Sequence, residues 1–363
     1  LLYGSGAIGG VVNVIDTRIA ERPLDDAVSG RAEVRYGTAD RGRTAMARVD
    51  ASGADGALVL HADGVYRESD DYDTPDGRQD NSFVHTRTGA LAASWVGQDG
   101  FLGVSASRYQ DRYGNPGEPG DAALGEPSVH LDMLQTRGEL KAGVNRPFWV
   151  FQGARLSVAD THYEHTEFEG SETGTHFVNE ATDGRIELTM QPFGAWTGAL
   201  GAQFGDRTFE AIGEEAFVPR TSTRSSGVFW IEHGDYGAFQ FDLGVRADRV
   251  RTAPDGGAVR NFSPKSYSAG AVWKFADAWR LSLNLDRAER APAEEELYAN
   301  GPHAATASFE IGDPFMREER ADQAELGLHH HGKRFEAKAA LYQTDFKGFI
   351  YLVDTGATTP DAE

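Results

Sequence analysis

Leu281-Ser282-Leu283-Asn284-Leu285-Asp286 places three leucines on alternate positions with a polar residue after each. Successive side chains of an extended chain point to opposite faces, so this run makes a strand with one apolar and one wet face. Phe239, Phe241, Leu243 and Val245 alternate in the same way with Gln240, Asp242, Gly244 and Arg246. Working outward, about fifteen such runs fill the chain. They lie near 30–38, 43–53, 56–67, 84–97, 100–112, 132–144, 150–162, 182–191, 195–209, 222–233, 237–250, 263–275, 278–288, 319–330 and 334–347. Many are longer than the roughly 5–6 residues of ordinary strands, and a tilted strand needs about 9–11 to cross a bilayer. Helical periodicity is confined to a short acidic stretch at 293–297.

The links between these runs alternate in length. Short ones are expected at 52–55, 97–100, 145–149, 191–196, 232–236, 276–279 and 329–333. Longer polar ones are expected near 68–83, 112–131, 163–181, 210–221, 251–262 and 289–318, with a short exception at 39–42. Sorting of loops by parity belongs to an up-and-down barrel with tight periplasmic turns and extended external loops. Trp95, Trp149, Trp196, Trp230, Trp279, Tyr109 and Tyr113 recur near strand ends, as an interfacial aromatic girdle would. The fold read from these patterns is all-β: a transmembrane antiparallel up-and-down β-barrel.

Composition narrows the function. The 363 residues carry 35 Lys and Arg against 56 Asp and Glu, a formal charge of −21. Such an acidic balance suits cations and argues against nucleic acid, whose phosphates need clustered basic residues. With no cysteine, disulfide frameworks, Cys zinc sites and thiol nucleophiles are excluded. No apolar run is long enough for a membrane-spanning helix. HExxH, GxSxG and P-loop motifs are missing, so no enzyme is indicated.

Gly4-Ser5-Gly6-Ala7-Ile8-Gly9 fits the dinucleotide-binding pattern, but strand-like Val11-Val12-Asn13-Val14-Ile15 follows where a helix should start. Taken together, Leu1 to Ile15 closely resembles the end of the plug domain of TonB-dependent outer-membrane receptors. Arg290-Ala291-Pro292, Glu296-Leu297-Tyr298, Gly312-Asp313-Pro314 and Glu318/Glu319 before Leu326-Gly327-Leu328 look like that family's external-loop and returning-strand signature. The resemblance covers essentially the whole chain. It implies the end of a plug and a linker in residues 1–24 (the linker itself near 16–26), then a partial barrel in 25–363. About fifteen of the family's 22 strands would be present, so the chain reads as an internal fragment. The beginning of the plug and the TonB-contacting segment would lie outside it.

His162-Tyr163-Glu164-His165-Thr166-Glu167-Phe168-Glu169 gathers imidazole and carboxylate donors suited to Zn²⁺ and related ions. If extended, His162 and Glu164 face one way and His165, Glu167 and Glu169 the other. This run, with Gly174–Asn179, Gly213–Pro219 and Asn300-Gly301-Pro302-His303, looks like the zinc-importing members of the family. That likeness implies a metal site drawn from His162, Glu164, His165, Glu167, Glu169, His176 and His303, with no prosthetic group and zinc as cargo. Binding should weaken below about pH 6, where imidazoles protonate. His329-His330-His331 is read as a solvated periplasmic turn, and Asp70–Gly77 as a flexible acidic loop that concentrates cations. The function expected is TonB-driven uptake across the outer membrane, with the TonB complex, outer-membrane lipid and a divalent metal as partners. Alternatives are a receptor for siderophore-iron, haem, copper or a vitamin, and a passive porin-like channel.

Overall fold

A computed structural model describes residues 4, 6, 8–10, 14–116, 128–213, 216–303 and 308–357. The first half builds β1 (Val28–Tyr36), β2 (Arg43–Gly53), β3 (Leu58–Ser69), β4 (Asp73–Thr74), β5 (Gly77–Arg78), β6 (Val84–Gly97), β7 (Gly100–Gly114), β8 (Val129–Val144) and β9 (Phe151–Glu169). Next come β10 (Glu172–Met190), β11 (Trp196–Ile212), β12 (Thr221–Tyr236), β13 (Phe239–Pro254), β14 (Arg260–Phe262), β15 (Lys265–Ala276) and β16 (Trp279–Arg290). Helix α1 (Glu294–Tyr298), β17 (Asn300–His303), β18 (Ser308–Ile311), β19 (Glu319–His331) and β20 (Glu336–Lys347) complete the chain. One antiparallel sheet of 16 strands runs from β1 to β20 in sequence order; only the small β4–β5 and β17–β18 hairpins lie apart from it among the described residues. The ends of that path, β1 and β20, have no pairing with one another among the described residues, so the barrel is open.

Residues opposite one another in register share a face, so the two faces can be followed across the sheet. On one lie Arg48, Asp50, His61, Ser94, Phe101, Glu139, Arg246, Asp248 and Asp286. The segment near residue 19 packs against it. Arg18 donates from Nε to Asp63 at 2.9 Å, the Ala20 N–H donates to Ser94 Oγ at 2.9 Å, and Ile19 is buried among Val59, Ala92, Val96 and Phe101. Gly4 and Gly6 border a cavity that the same face of β8–β13 lines. This is the inward face, and it is rich in charge. The other face exposes Leu91, Trp95, Leu102, Val104, Leu243, Val245, Leu283, Leu285 and Leu326. From Leu243 to Arg251, β13 alternates exposed and buried without a break. Apolar side chains outside and charged ones inside suit lipid around the sheet and water within it.

Tight connections fall at one end, as the loop parity predicts. The β12–β13 turn comes later than 232–236, at Gly237-Ala238, with Gly237 at φ +67°. Along this end aromatic rings form a row on the outer face. It runs Trp196–Tyr236–Phe241–Phe239–Trp273–Phe275–Trp279, each ring centroid within 6.4 Å of the next. His330 continues the row, 4.5 Å from Trp279 and 4.3 Å from Phe335, while His331 pairs with Glu336. The His tract is therefore the end of β19, not a solvated turn: the imidazole of His330 is a flat ring and packs against the rings around it. Tyr109 and Tyr113 are not in the girdle, because their register places them on the inward face.

The largest departure is at 163–181. In place of a long loop, β9 and β10 continue to a two-residue turn at Gly170-Ser171, with Gly170 at φ +60°. Above the membrane both faces of a strand are wet, so the apolar half of the alternation fades while the hydrogen-bonded ladder goes on. β7 and β8 likewise extend to Gly114 and from Val129, into the expected 112–131 loop. The acidic 70–77 stretch is also ordered. Asp70 accepts from Arg41 Nε at 2.7 Å, Asp71 from the Ser82 N–H at 2.8 Å, and β4 pairs with β5.

Candidate ligand surfaces at the outer mouth

The β8–β11 extension carries most of the anticipated metal ligands, and its register divides them. Pairing of His162 with Glu180, Glu164 with Val178 and Thr166 with His176 puts His162, Glu164 and His176 on the outward face. His162 Nε2 lies 3.7 Å from Glu164 Oε2, and Nδ1 lies 3.4 Å from Glu180 Oε1. His176 Nε2 is 3.9 Å from the same Glu164 oxygen, with Nδ1 2.9 Å from Thr166 Oγ1. These side chains look away from the lumen.

His165, Glu167 and Glu169 face inward. There His165 Nε2 is 3.7 Å from Glu167 Oε1, and Tyr163 OH is 3.0 Å from Nδ1, so the phenol donates when Nδ1 is unprotonated. His165 stacks on Phe177 at 4.5 Å, and Phe177 on Phe209 at 6.1 Å. Phe217, Val218 and Ala299 close over Phe177 in a buried cluster. The Asn300 N–H donates to Phe217 O at 2.7 Å, which lays β17, the strand that ends at His303, beside this wall. Tyr109, two strands away, donates to Asp111 at 3.0 Å on the same face, and Thr86 donates to that carboxylate at 2.8 Å. Among the described residues no group of three or more His, Asp or Glu is arranged to hold a metal ion.

Tyr109, Tyr163, Phe177 and Phe209 were not anticipated as lining residues. The signal was there: once strands pair, inward parity runs from Tyr109 through Gln135, Tyr163 and Asn179 to Phe209.

The chain between β16 and β19 forms a strap beside this wall. Arg290, at the end of β16, donates to both carboxylate oxygens of Glu296 at 2.8 Å and to buried Glu319 at 2.6 Å. The Ala293 N–H reaches Glu296 Oε2 at 2.7 Å, fixing the first turn of α1. Buried Glu294 pairs with Arg207, and Leu297 fills a pocket with Val250 and Phe262. Tyr298 OH donates to Ala258 O at 2.9 Å. Burial and the neighbouring Glu294 charge raise the Glu295 carboxyl above its usual range. Burial pushes Glu296 the same way, but the Arg290 and Ala293 hydrogen bonds outweigh it and hold that carboxyl low. The family-like residues 290–319 are thus a hydrogen-bonded strap.

Long amphipathic strands, an aromatic row at the tight-turn end and a charged lumen define an outer-membrane β-barrel. Residues 21–363 match the family model described as TonB dependent receptor-like, beta-barrel, and the chain belongs to that family of outer-membrane proteins. Over 139 residues it is 29% identical to the hemoglobin-haptoglobin utilization protein B of Neisseria meningitidis serogroup A, covering 34% of this chain and 17% of that protein. Among solved structures it is similar to the Serratia marcescens hemophore receptor HasR, with TM-score 0.76 and 13% identity over 91% of this chain and 56% of that one. The copper transporter OprC gives 0.72 and 15% over 90% and 55%. At these identities the structural likeness is one of fold. The chain spans a little over half the length of those solved structures, and its match covers about a sixth of the curated relative.

Proposed function

We propose that this chain is the greater part of the barrel of a receptor that takes up a scarce nutrient across the outer membrane, driven through TonB. Residues 1–24 are then the end of the plug and its linker, and the contacts of Arg18, Ile19 and Ala20 are where that linker meets the wall. The family membership supports the transport reading, and the inward, charged face would line the path.

Zinc is the cargo we infer from the side chains. The carrying observation is the inward pair His165 and Glu167, with the strand of His303 packed nearby through Phe217. Two donors do not close a tetrahedral site, so further ligands would come from His303 and from the plug. His162, Glu164 and His176 drop out of the capture site, since they face away from the lumen. The test is zinc titration of the complete receptor in detergent. His165→Ala/His303→Ala should weaken binding by about tenfold or more, and His162→Ala/His176→Ala should leave it within about twofold. Equal loss in both pairs would return the site to the outer face, and no binding by the wild type would remove zinc.

The aromatic inner wall favours a second reading. Tyr109 and Tyr163, half-buried on the inward face, suit a flat, conjugated cargo, and haem or haemoglobin is named for two of the similar proteins. Haem binding lost in Tyr163→Ala, beside a wild type that ignores zinc, would establish it.

A further inference from the structure

From β8 to β15, charge on the outward face is sorted by strand. Above the apolar band, β8–β11 carry Asp132, Asp160, Glu164, Glu180 and Asp206. At the corresponding level β12, β13 and β15 carry Arg224, Arg249, Arg251 and Lys265, all exposed. Arg224 and Arg251 stand directly opposite one another in register. Like charges so placed repel. Asp206 takes up Arg224 at 3.0 Å, but the Arg249, Arg251 and Lys265 side chains have no hydrogen bond or ion pair among the described residues.

Their height is informative. Phe239 belongs to the aromatic row, and Arg249 is on the same face ten residues further along β13. At about 3.4 Å per residue and a tilt near 40°, that separates them by about 25 Å, the height of the apolar band of such barrels. The basic cluster therefore lies where the outer leaflet's headgroups begin. Beneath it lies an open groove of about 680 Å³ whose exposed surface is mostly apolar, from Trp230, Leu243, Val245, Tyr267, Ala269 and Leu285, with Glu232, Asp345 and the Arg287–Asp322 pair also on its lining.

We propose that this face seats a phosphate-bearing lipid of the outer leaflet, with its phosphates on Arg249, Arg251 and Lys265 and an acyl chain in the groove below. Two features meet in one ligand: unpaired cations that need an anion, and an apolar groove continuous with the membrane face. The acidic sector over β8–β11 offers no such seat. This assignment is independent of which cargo the lumen carries.

The test uses the complete receptor in neutral detergent, titrated with diphosphorylated lipid A and read by native mass spectrometry. The wild type should retain one lipid. Arg249→Glu/Arg251→Glu should weaken retention by at least about twenty-five-fold, from roughly fivefold for each basic residue lost at a charged lipid surface. Filling the groove with Val245→Trp/Ala269→Trp should weaken it with charge unchanged. Phosphate-free lipid A should not be retained. Barrel formation is checked by the shift in gel mobility on heating, and Arg249→Gln/Arg251→Gln replaces the reversal should that variant not fold. Equal retention by wild type and charge variants, or equal retention of phosphate-free lipid, would overturn the proposal. So would displacement of the lipid by millimolar inorganic phosphate, which would mark an anion site without a lipid.

Discussion

Glu295 and Glu296 are adjacent in α1, yet their surroundings push them in opposite directions. Glu296 is held low, so its contribution to docking the strap is present above its unfolded pKa of about 4.3 and is lost as pH falls through the lower folded value. Glu295 is held high, so its protonated form is favoured in the fold, and stability is lost as pH rises through its folded value. Glu295→Gln should accordingly slow amide exchange at Leu297 and Ala299 at pH 7, with the gain shrinking toward pH 4; an unchanged gain would contradict the burial argument. Arg290→Ala removes three charge-assisted bonds and strands buried Glu319, which should loosen the strap by about 3–5 kcal/mol. Limited proteolysis between 291 and 318 should report it, and Arg290→Lys should rescue only partly, since an ammonium cannot span both Glu296 oxygens. On the lumen wall Phe229, 1% exposed, has the Arg185 guanidinium 4.4 Å from its ring centre and that of Arg246 at 5.8 Å. Phe229→Ala should cost about 3–5 kcal/mol, measured by the midpoint of barrel unfolding in urea.

At the scale of elements, what the amino acids disclosed depended on the solvent on each side. Where lipid lies outside, alternation is sharp, and 281–286 or 239–246 give both the strand and its face. Where water lies on both sides, as in 163–181, only the ladder marks the strand, and the ladder is invisible until a partner is known. Hence the opposite facing of His162 and His165 was legible from period two alone, while the turn at Gly170 was not. His330 was misjudged for a related reason: its packing depends on Trp279 and Phe335, from another strand and beyond a turn. Gly170 now carries the β9–β10 register in the left-handed region, where a side chain costs about 1–2 kcal/mol. Gly170→Val should therefore raise protease sensitivity near 168–174 and leave the membrane-level strands intact, as judged by gel mobility before and after heating.

For the whole molecule, the outermost strands set the main constraint. Val34 in β1 and Leu341 and Tyr342 in β20 are among the most exposed apolar side chains, and each of these strands offers an unpaired edge among the described residues. Edges of this kind recruit other strands. The present residues produced alone should self-associate and show no heat-dependent mobility shift, whereas the complete receptor should run as a compact monomer. A further consequence follows from the lengths of the strands. They rise from 9 residues in β1 to 19 in β9 and β10 and fall to 12 in β16, yet the tight turns keep their lower ends level. Seven extra residues amount to about 18 Å of height at the same tilt. The entrance is therefore cut on a slant, like the nib of a quill. The strands thus raise a parapet over β9 and β10 and a low sill toward β16, from which the strap of 291–318 springs. If cargo is taken up as proposed above, a bulky carrier would meet these two sides differently, and its approach would be directional.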